Sequence, residues 1–305
     1  MTRLAAAFGV FLISFSAIFV RFAGVEPITA AFFRCFYALP FLFLICRARR
    51  PDGRSGRQRR LAQLAGAMLG ADLIVWHHSI EYIGTGLGTV LGNTQVVFVG
   101  LAAWWLHGER PTKQALGVVP VVFLGVVLIS GLGRSDAYGT DPIRGVIFGL
   151  LTGLSYSAFI LLLRAASREK TSPVGPLLDA TLGATASSLG LGLVLNGLDF
   201  APHWPAHGWL LALALVSQVF GWLLITEALP RLPALETSVL LLLQPMLTVL
   251  WGRLLFSELL SEMQWSGVGL ILLGIGTLSL AGGMTERPAR HPAAGEAPSA
   301  HPETS

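Results

Sequence analysis

Charge is what this sequence has least of. Asp, Glu, Lys and Arg make up 12% of its 305 residues, about half the roughly 25% that coats a soluble domain. So sparse a polar surface excludes a disordered chain, a nucleic-acid-binding domain and an ordinary cytosolic enzyme, and no nucleic-acid partner is expected. Cysteine is nearly missing as well. Cys35 and Cys46 are the only two, and their spacing along one predicted helix separates them by about 16 Å, beyond disulfide reach. No His, Cys and acid set has ligand spacing, so neither a metal nor any other cofactor is expected. The Walker pattern GxxxxGK[ST] is absent, which excludes direct ATP drive from this chain. No small-residue cleavage site follows the first apolar run, so no cleavable signal is expected.

What the sequence has is apolar length. Hydrophobic residues make up 53% and the mean hydropathy is +0.66. A bilayer crossing takes about 20 apolar residues, and runs bounded by Gly, Pro and charge predict ten spans. These are 4–22, 28–46, 61–81, 85–106, 113–132, 144–163, 174–195, 207–229, 233–255 and 262–281. The expected fold class is an all-α integral membrane protein with the lipid bilayer as its solvent. Residues 283–305, rich in Pro, Ala, Glu and Ser, read as a disordered cytoplasmic tail.

The net charge of +4 and pI near 9.5 have a topological explanation. Seven arginines fall in RARRPDGRSGRQRR, between spans 2 and 3. With that loop in the cytoplasm and ten spans, 16 basic residues fall on its side. Arg21, Arg134, Arg144 and Arg253 remain opposite, and Arg34 lies inside a span. The asymmetry predicts that both termini are cytoplasmic.

The two halves repeat one another. Asp72-x3-Trp76-x4-Glu81 returns as Gln218-x3-Trp222-x4-Glu227, offset by 146, and Gln95, Glu109 and Gly125 return as Gln244, Glu258 and Gly274, offset by 149. The offset pairs span 3 with span 8 and span 4 with span 9, so the unit has five helices. An odd unit enters the membrane from opposite faces in its two copies. The expected architecture is therefore ten transmembrane helices as two inverted five-helix repeats, residues 1–133 and 134–282. Such a pair places a small-molecule substrate at the bilayer midplane and supports alternating access.

The stretch LGNTQVVFVGLAAWWLHGERPTKQALGVVPVVFLGVVL and its partner LLLLQPMLTVLWGRLLFSELLSEMQWSGVGLILLGIGTL resemble the EamA family of the drug/metabolite transporter superfamily. The shared marks are a Gln followed by Val or Pro, an apolar helix, a Gly-Glu or Ser-Glu turn, and a Gly-rich helix. Phe33-Arg34 resembles the family's Arg near the start of span 2. Ser257 stands where the family has Gly. The resemblance implies a ten-helix inverted repeat in the bacterial inner membrane that exports small metabolites such as amino acids.

A charge at mid-membrane costs about 2.5–3.5 kcal/mol on insertion scales, so it faces a cavity or a partner. Asp72, at the middle of span 3, reads either as a cavity carboxylate for a substrate amine or a coupling proton, or as a structural carboxylate. Its mate Gln218 makes a wet facet at that depth in both halves. Trp76 and Trp222, one turn on, share that face; the other reading is packing or the interfacial belt. His77 reads as a proton-linked switch or as a hydrogen-bonded interfacial histidine. Asn93, Gln95 and Gln244 are candidate cavity groups or interhelical bonds, and Pro245 frees a carbonyl beside Gln244. Tyr156, between Ser155 and Ser157, matches the Ser14–Ser16 kernel of span 1, and both are assigned to the cavity.

Arg34 and Asp179 are candidates for gating or charge recognition. Their predicted depths lie in opposite leaflets, which argues against a direct pair. Glu109 and Glu258 sit at helix-end turns, where a carboxylate satisfies exposed amides. Two glycine runs, Gly84-Gly86-Gly88-Gly92 and Gly145-Gly149-Gly153, fit close helix contact. Smooth glycine faces are compatible with sliding during an access change, and a homodimer is a separate expectation. The competing readings are an intramembrane enzyme using Asp72, His77 and Glu81, against which the missing nucleophile motif counts, and a receptor or scaffold, against which the missing output domain counts.

Overall fold

The computed structural model describes residues 2–49, 53–107, 112–131, 134–166, 172–228 and 234–280; Glu109 and the tail 283–305 lie outside them. Among the described residues there is no strand. The helices are α1 (Thr2–Ser14), α2 (Ser16–Ala23), α3 (Pro27–Ala48), α4 (Gly56–Gly92), α5 (Gln95–His107), α6 (Lys113–Ile129), α7 (Pro142–Ala166) and α8 (Val174–Val194). α9 (Ala206–Ala212) runs through a π-helical stretch, Leu213–Gly221, into α10 (Trp222–Ala228), and α11 (Ala234–Phe256) and α12 (Glu262–Leu280) follow. Six stretches among the described residues are long and apolar enough to cross a bilayer: Thr2–Ala23, Pro27–Ala48, Gly56–Ala102, Pro142–Ala166, Val174–Val194 and Ala206–Glu227. Leu116–Ile129 and Leu240–Phe256 are shorter apolar helices.

Local chemistry sets the helix ends. Pro27 opens α3 in the first turn, where its missing N–H removes nothing the helix uses. α4 starts with a capping box: the Gln58 amide donates to Ser55 Oγ, and Ser55 N donates to Gln58 Oε1. Outward side chains such as Phe8, Leu44, Trp105 and Leu273 are exposed. Large apolar groups on the outside suit a solvent of acyl chains.

α4 doubles back on itself. Gly84 has φ 84° and ψ 173°, a left-handed backbone open to glycine at little cost. A Cβ built on Gly88 would lie 3.3 Å from the Ile80 amide, and one on Gly92 3.9 Å from Trp76. Residues 79–83 and 85–88 therefore form a helical hairpin. The turn expected between residues 81 and 85 is this one reversal. Span 4, expected to be continuous over 85–106, is instead interrupted at Asn93–Thr94. Asn93 Nδ2 donates to Thr89 O at 2.8 Å and Thr94 Oγ1 to Leu91 O at 2.6 Å, so the side chains turn back onto carbonyls that the Asn93 and Thr94 amides also reach. Span 1 is similarly split at Phe15, and span 8 carries the π-helical stretch around Gln218.

Helix pairing follows a reciprocal pattern. α3 packs on α8, the outgoing arm of α4 on α11, and α6 on α12. α1 packs on α10 and the π stretch, while α7 packs on α4. Close approach is built from small residues. A Cβ on Gly66 would strike Ala180 O at 1.9 Å, and one on Gly183 would strike Gln63 O at 1.9 Å, which locks α4 to α8. The duplicated Gly125 and Gly274 share the α6–α12 contact, against Ile271 and Val122. Gly145, Gly149 and Gly153 of α7 lie against Ile83, Leu91 and Thr94 of the hairpin.

Candidate functional site

Two of the irregular places in the helices, the split in span 1 and the break in span 4, meet at a cavity of about 430 Å³. Its wall includes Ser16 just past the split in span 1, and Asn93 and Gln95 at the break in span 4. Non-helical backbone at membrane depth is tolerated where it lines a cavity. Arg34, Asp72, Trp76, Tyr156, Trp222 and Gln244 complete the set of candidates that share this space. The lining also includes Leu163, Arg164, Ile225 and Leu241, residues near the ends of α7 and α10 and near the start of α11. Arg164 is a cavity group that reading the sequence missed, because a cation at a helix end reads as an interfacial anchor.

Arg34 is 4% exposed. Its Nε donates to Gln218 Oε1 at 3.0 Å and its Nη1 to Ser16 Oγ at 2.9 Å, and the guanidinium lies 5.9 Å from the Trp76 ring centroid. That geometry places Gln218 behind Arg34, outside the cavity wall, where its own amide reaches Thr181 Oγ1 at 3.4 Å. Asp72, on the same wall, makes no ion pair with Arg34. Its Oδ1 is buried without a hydrogen-bond partner, as is Oε1 of Gln95. A buried acceptor with no donor costs about 1–3 kcal/mol. Both acceptors belong to residues of one cavity wall.

The apolar part of the wall is aromatic. Trp222 meets Phe159 edge-on at 5.9 Å and Tyr156 at 6.4 Å, and Tyr156 stacks on Phe159 at 5.5 Å. The cavity thus offers a fixed cation, an unbonded carboxylate, amide oxygen and an aromatic surface.

Besides Gln218, two candidates lie outside the cavity. His77 is turned to a second space of about 610 Å³, with Nδ1 3.0 Å from Pro27 O and Nε2 unpartnered. Trp76 and His77 therefore stand on opposite sides of one partition. Asp179 pairs with Arg54 of the arginine loop at 2.6 Å, so the partner of this acid comes from the loop and not from Arg34. Ser14 is buried away from the cavity, accepting from Trp251 Nε1 at 3.0 Å. Ser157 donates to the carbonyls of Gly153 and Gln95. Among the described residues no group of His, Cys, Asp and Glu could hold a metal ion.

Glu258 does satisfy amides, but on a distant helix. Its Oε1 accepts from the Thr85 amide at 2.7 Å, from Thr85 Oγ1 at 2.9 Å and from Arg21 at 2.5 Å, and its Oε2 accepts from the Gly86 amide at 3.1 Å.

The chain is similar to known proteins along nearly its whole length. The family model described as "EamA-like transporter family" matches residues 2–131 and 143–280. A transporter of Archaeoglobus fulgidus is 24% identical over 85% of this chain and 89% of its own length. The threonine/homoserine exporter RhtA of Escherichia coli K12 is 27% identical over 77% of this chain and 76% of its own. A crystal structure superposes with a TM-score of 0.57 at 15% identity, covering 92% of this chain and 96% of the other, which extends the likeness of fold to nearly the full length.

Proposed function

The chain belongs to the EamA-like transporter family, and from that premise we propose that it is a secondary carrier exporting small metabolites such as amino acids by alternating access. The single observation that carries this reading is that Asp72 and Gln95, each with a buried acceptor that no donor in the chain fills, line the same cavity as Arg34. An α-amino acid has an ammonium group to donate to the first two and a carboxylate for the free Nη2 of the third. Its side chain then rests on Trp76, Trp222 and Tyr156. The export of threonine and homoserine named for the relative in Escherichia coli is in keeping with such a ligand.

In this reading the ten spans form two inverted five-helix repeats, residues 1–133 and 134–282, with both termini in the cytoplasm. The pairing of α3 with α8, the outgoing arm of α4 with α11, and α6 with α12 supports it, since each pair joins repeat mates. So does the reciprocal packing of α1 on α10 and of α7 on α4. Cavity lining at Arg164 and Leu241 then lies towards the side of the arginine loop, as an inward-facing form requires. Asp72 is the candidate for proton coupling, and Arg34 anchors the carboxylate. Membership in a transporter family favours this over an intramembrane enzyme or a receptor.

The test is counterflow of radiolabelled neutral amino acids in proteoliposomes. Wild type is expected to exchange label, Asp72→Asn to lose exchange while keeping the wild-type melting profile, and Arg34→Gln to lose exchange with a lower melting temperature, since it also removes the bonds to Gln218 and Ser16. Equal exchange by wild type and Asp72→Asn, with an unchanged pH profile, removes Asp72 from both roles.

A further inference from the structure

Of the three buried acids among the described residues, Asp72, Asp179 and Glu258, Glu258 stands in the turn after α11 and does not line the candidate cavity. It sits beyond the partition, on the side of the second space, whose wall includes Arg21, Gly84 and Tyr138. Three separate segments meet at its carboxylate. Arg21 comes from the end of α2, Thr85 and Gly86 open the outgoing arm of α4, and Glu258 itself follows α11.

The fit around it is close. Ser257 takes a left-handed φ of 52°, and the Glu258 amide donates back to Gly252 O at 3.2 Å, so the turn aims the side chain inward. A Cβ on Gly252 would lie 2.4 Å from Glu258 Oε2, and one on Gly84 2.7 Å from Oε1. Only glycine at these two positions leaves room for the carboxylate. Arg21 is held over the Phe256 ring at 4.4 Å, which keeps its charge beside Glu258 even though the arginine is 34% exposed. The carboxylate itself is 2% exposed. All four of its bonds join it to segments other than its own, and none joins it to another residue of α11 or α12.

We infer that Glu258 and Arg21 form the latch that holds the carrier closed at the end opposite the arginine loop. The inference goes beyond the proposed transport reading but rests on it for the existence of two access states. The latch draws the α11–α12 turn against the tip of the α4 hairpin, directly above the partition between the cavity and the outer space. Opening that end requires the turn to leave Thr85 and Gly86, so every bond to Glu258 breaks together. Charge-assisted bonds to backbone amides are short and strong, and a bond set present in one state only biases the equilibrium by its full difference between states.

The experiment reads accessibility directly. In a Cys35→Ala, Cys46→Ala background, Thr89→Cys places a thiol on the cavity wall. Its labelling rate with a membrane-impermeant thiosulfonate is measured from each face in oriented vesicles. Glu258→Gln, which keeps the shape and removes the charge, is expected to raise labelling from the far face about tenfold and to lower it from the arginine-loop face. Arg21→Gln is expected to shift both rates in the same directions. Unchanged rates in either variant, or rates that rise together from both faces, overturn the latch. Where Glu258→Gln does not fold, Glu258→Asp, one methylene shorter, is scored the same way. Wild-type labelling from one face only, with and without amino acid, overturns the carrier reading itself. Wild-type labelling from both faces with no shift in the variants overturns the latch alone.

Discussion

Asp72 and Glu258 are both buried acids, 5% and 2% exposed, and their surroundings are opposites. Glu258 accepts from two backbone amides, a hydroxyl and a guanidinium. Asp72 has an oxygen that accepts from nothing. A protein that only needed to neutralise a carboxylate had the means at hand, since Arg34 lies on the same cavity wall and spends two of its nitrogens on Gln218 and Ser16 instead. The contrast separates two uses of one functional group. A carboxylate whose lone pairs are filled from within the chain fixes the relation between segments, and one left unfilled in a cavity is held ready for a ligand. Substitution at the two places should therefore divide along stability and transport.

The largest effect is expected at Glu258. Glu258→Ala leaves two amides and a partly buried guanidinium without an acceptor. Breaking a buried charged set costs about 3–5 kcal/mol, and the lower figure applies because Arg21 is 34% exposed and water screens it. Detergent melting should show that loss; a melting temperature equal to wild type would dissolve the contrast. At Asp72 the loss should fall on function. Asp72→Asn is expected to weaken amino-acid exchange at least about thirtyfold, the equivalent of ~2 kcal/mol for a buried charge contact. It should melt no lower than wild type, since no bond within the chain is removed from Oδ1. A marked fall in melting temperature with exchange intact would give Asp72 the structural role.

Gly84→Ala tests the same division through the backbone. A left-handed φ of 84° costs a side-chain-bearing residue of order 1–3 kcal/mol, and the new Cβ would press on Glu258 Oε1 from 2.7 Å. It should reproduce part of the Glu258→Ala loss, and the double substitution should be less than additive because the two residues share one contact. Full additivity would show that the hairpin turn and the carboxylate act independently.

The two regions also differ in how far the sequence discloses them. Asp72, Trp76, Gln95 and Trp222 stood out because a polar or indole group recurs at matched depth in both halves, and a periodic apolar background makes such residues conspicuous. The helices themselves were legible from run length and from glycine and proline punctuation. The break at Asn93–Thr94 was not, because two small polar residues in an apolar run look the same whether the ladder continues or stops. The π-helical stretch around Gln218 has no residue-type mark at all. Glu258 was visible as a duplicated acid at a helix end, yet its partners are not local: Thr85 lies 173 residues away and Arg21 237. A helix-end carboxylate advertises a need for amides without saying which helix supplies them. The division of Arg34 and Asp179 between Gln218 and Arg54 was hidden for the same reason, since Arg54 belongs to a loop whose arginines read alike.

The smallest effect belongs to a third acid, Asp136, which calibrates the other two. Arg134 donates to both of its oxygens at 2.8 Å, and that bonding holds the Asp136 carboxyl below the usual range. By linkage the depressed group would favour the folded state above its unfolded pKa and lose that advantage as pH falls. Both side chains are more than half exposed, however, so water and salt compete with the pair in the folded and unfolded chain alike. Asp136→Asn is expected to leave melting and exchange within error of wild type from pH 4 to 8 and at any salt concentration, although its bonds are as short as those of Glu258. A measurable loss would mean that hydrogen-bond geometry sets the worth of a carboxylate here. No loss would leave burial as the property that separates Asp136 from Glu258, and unfilled lone pairs as the property that separates Glu258 from Asp72.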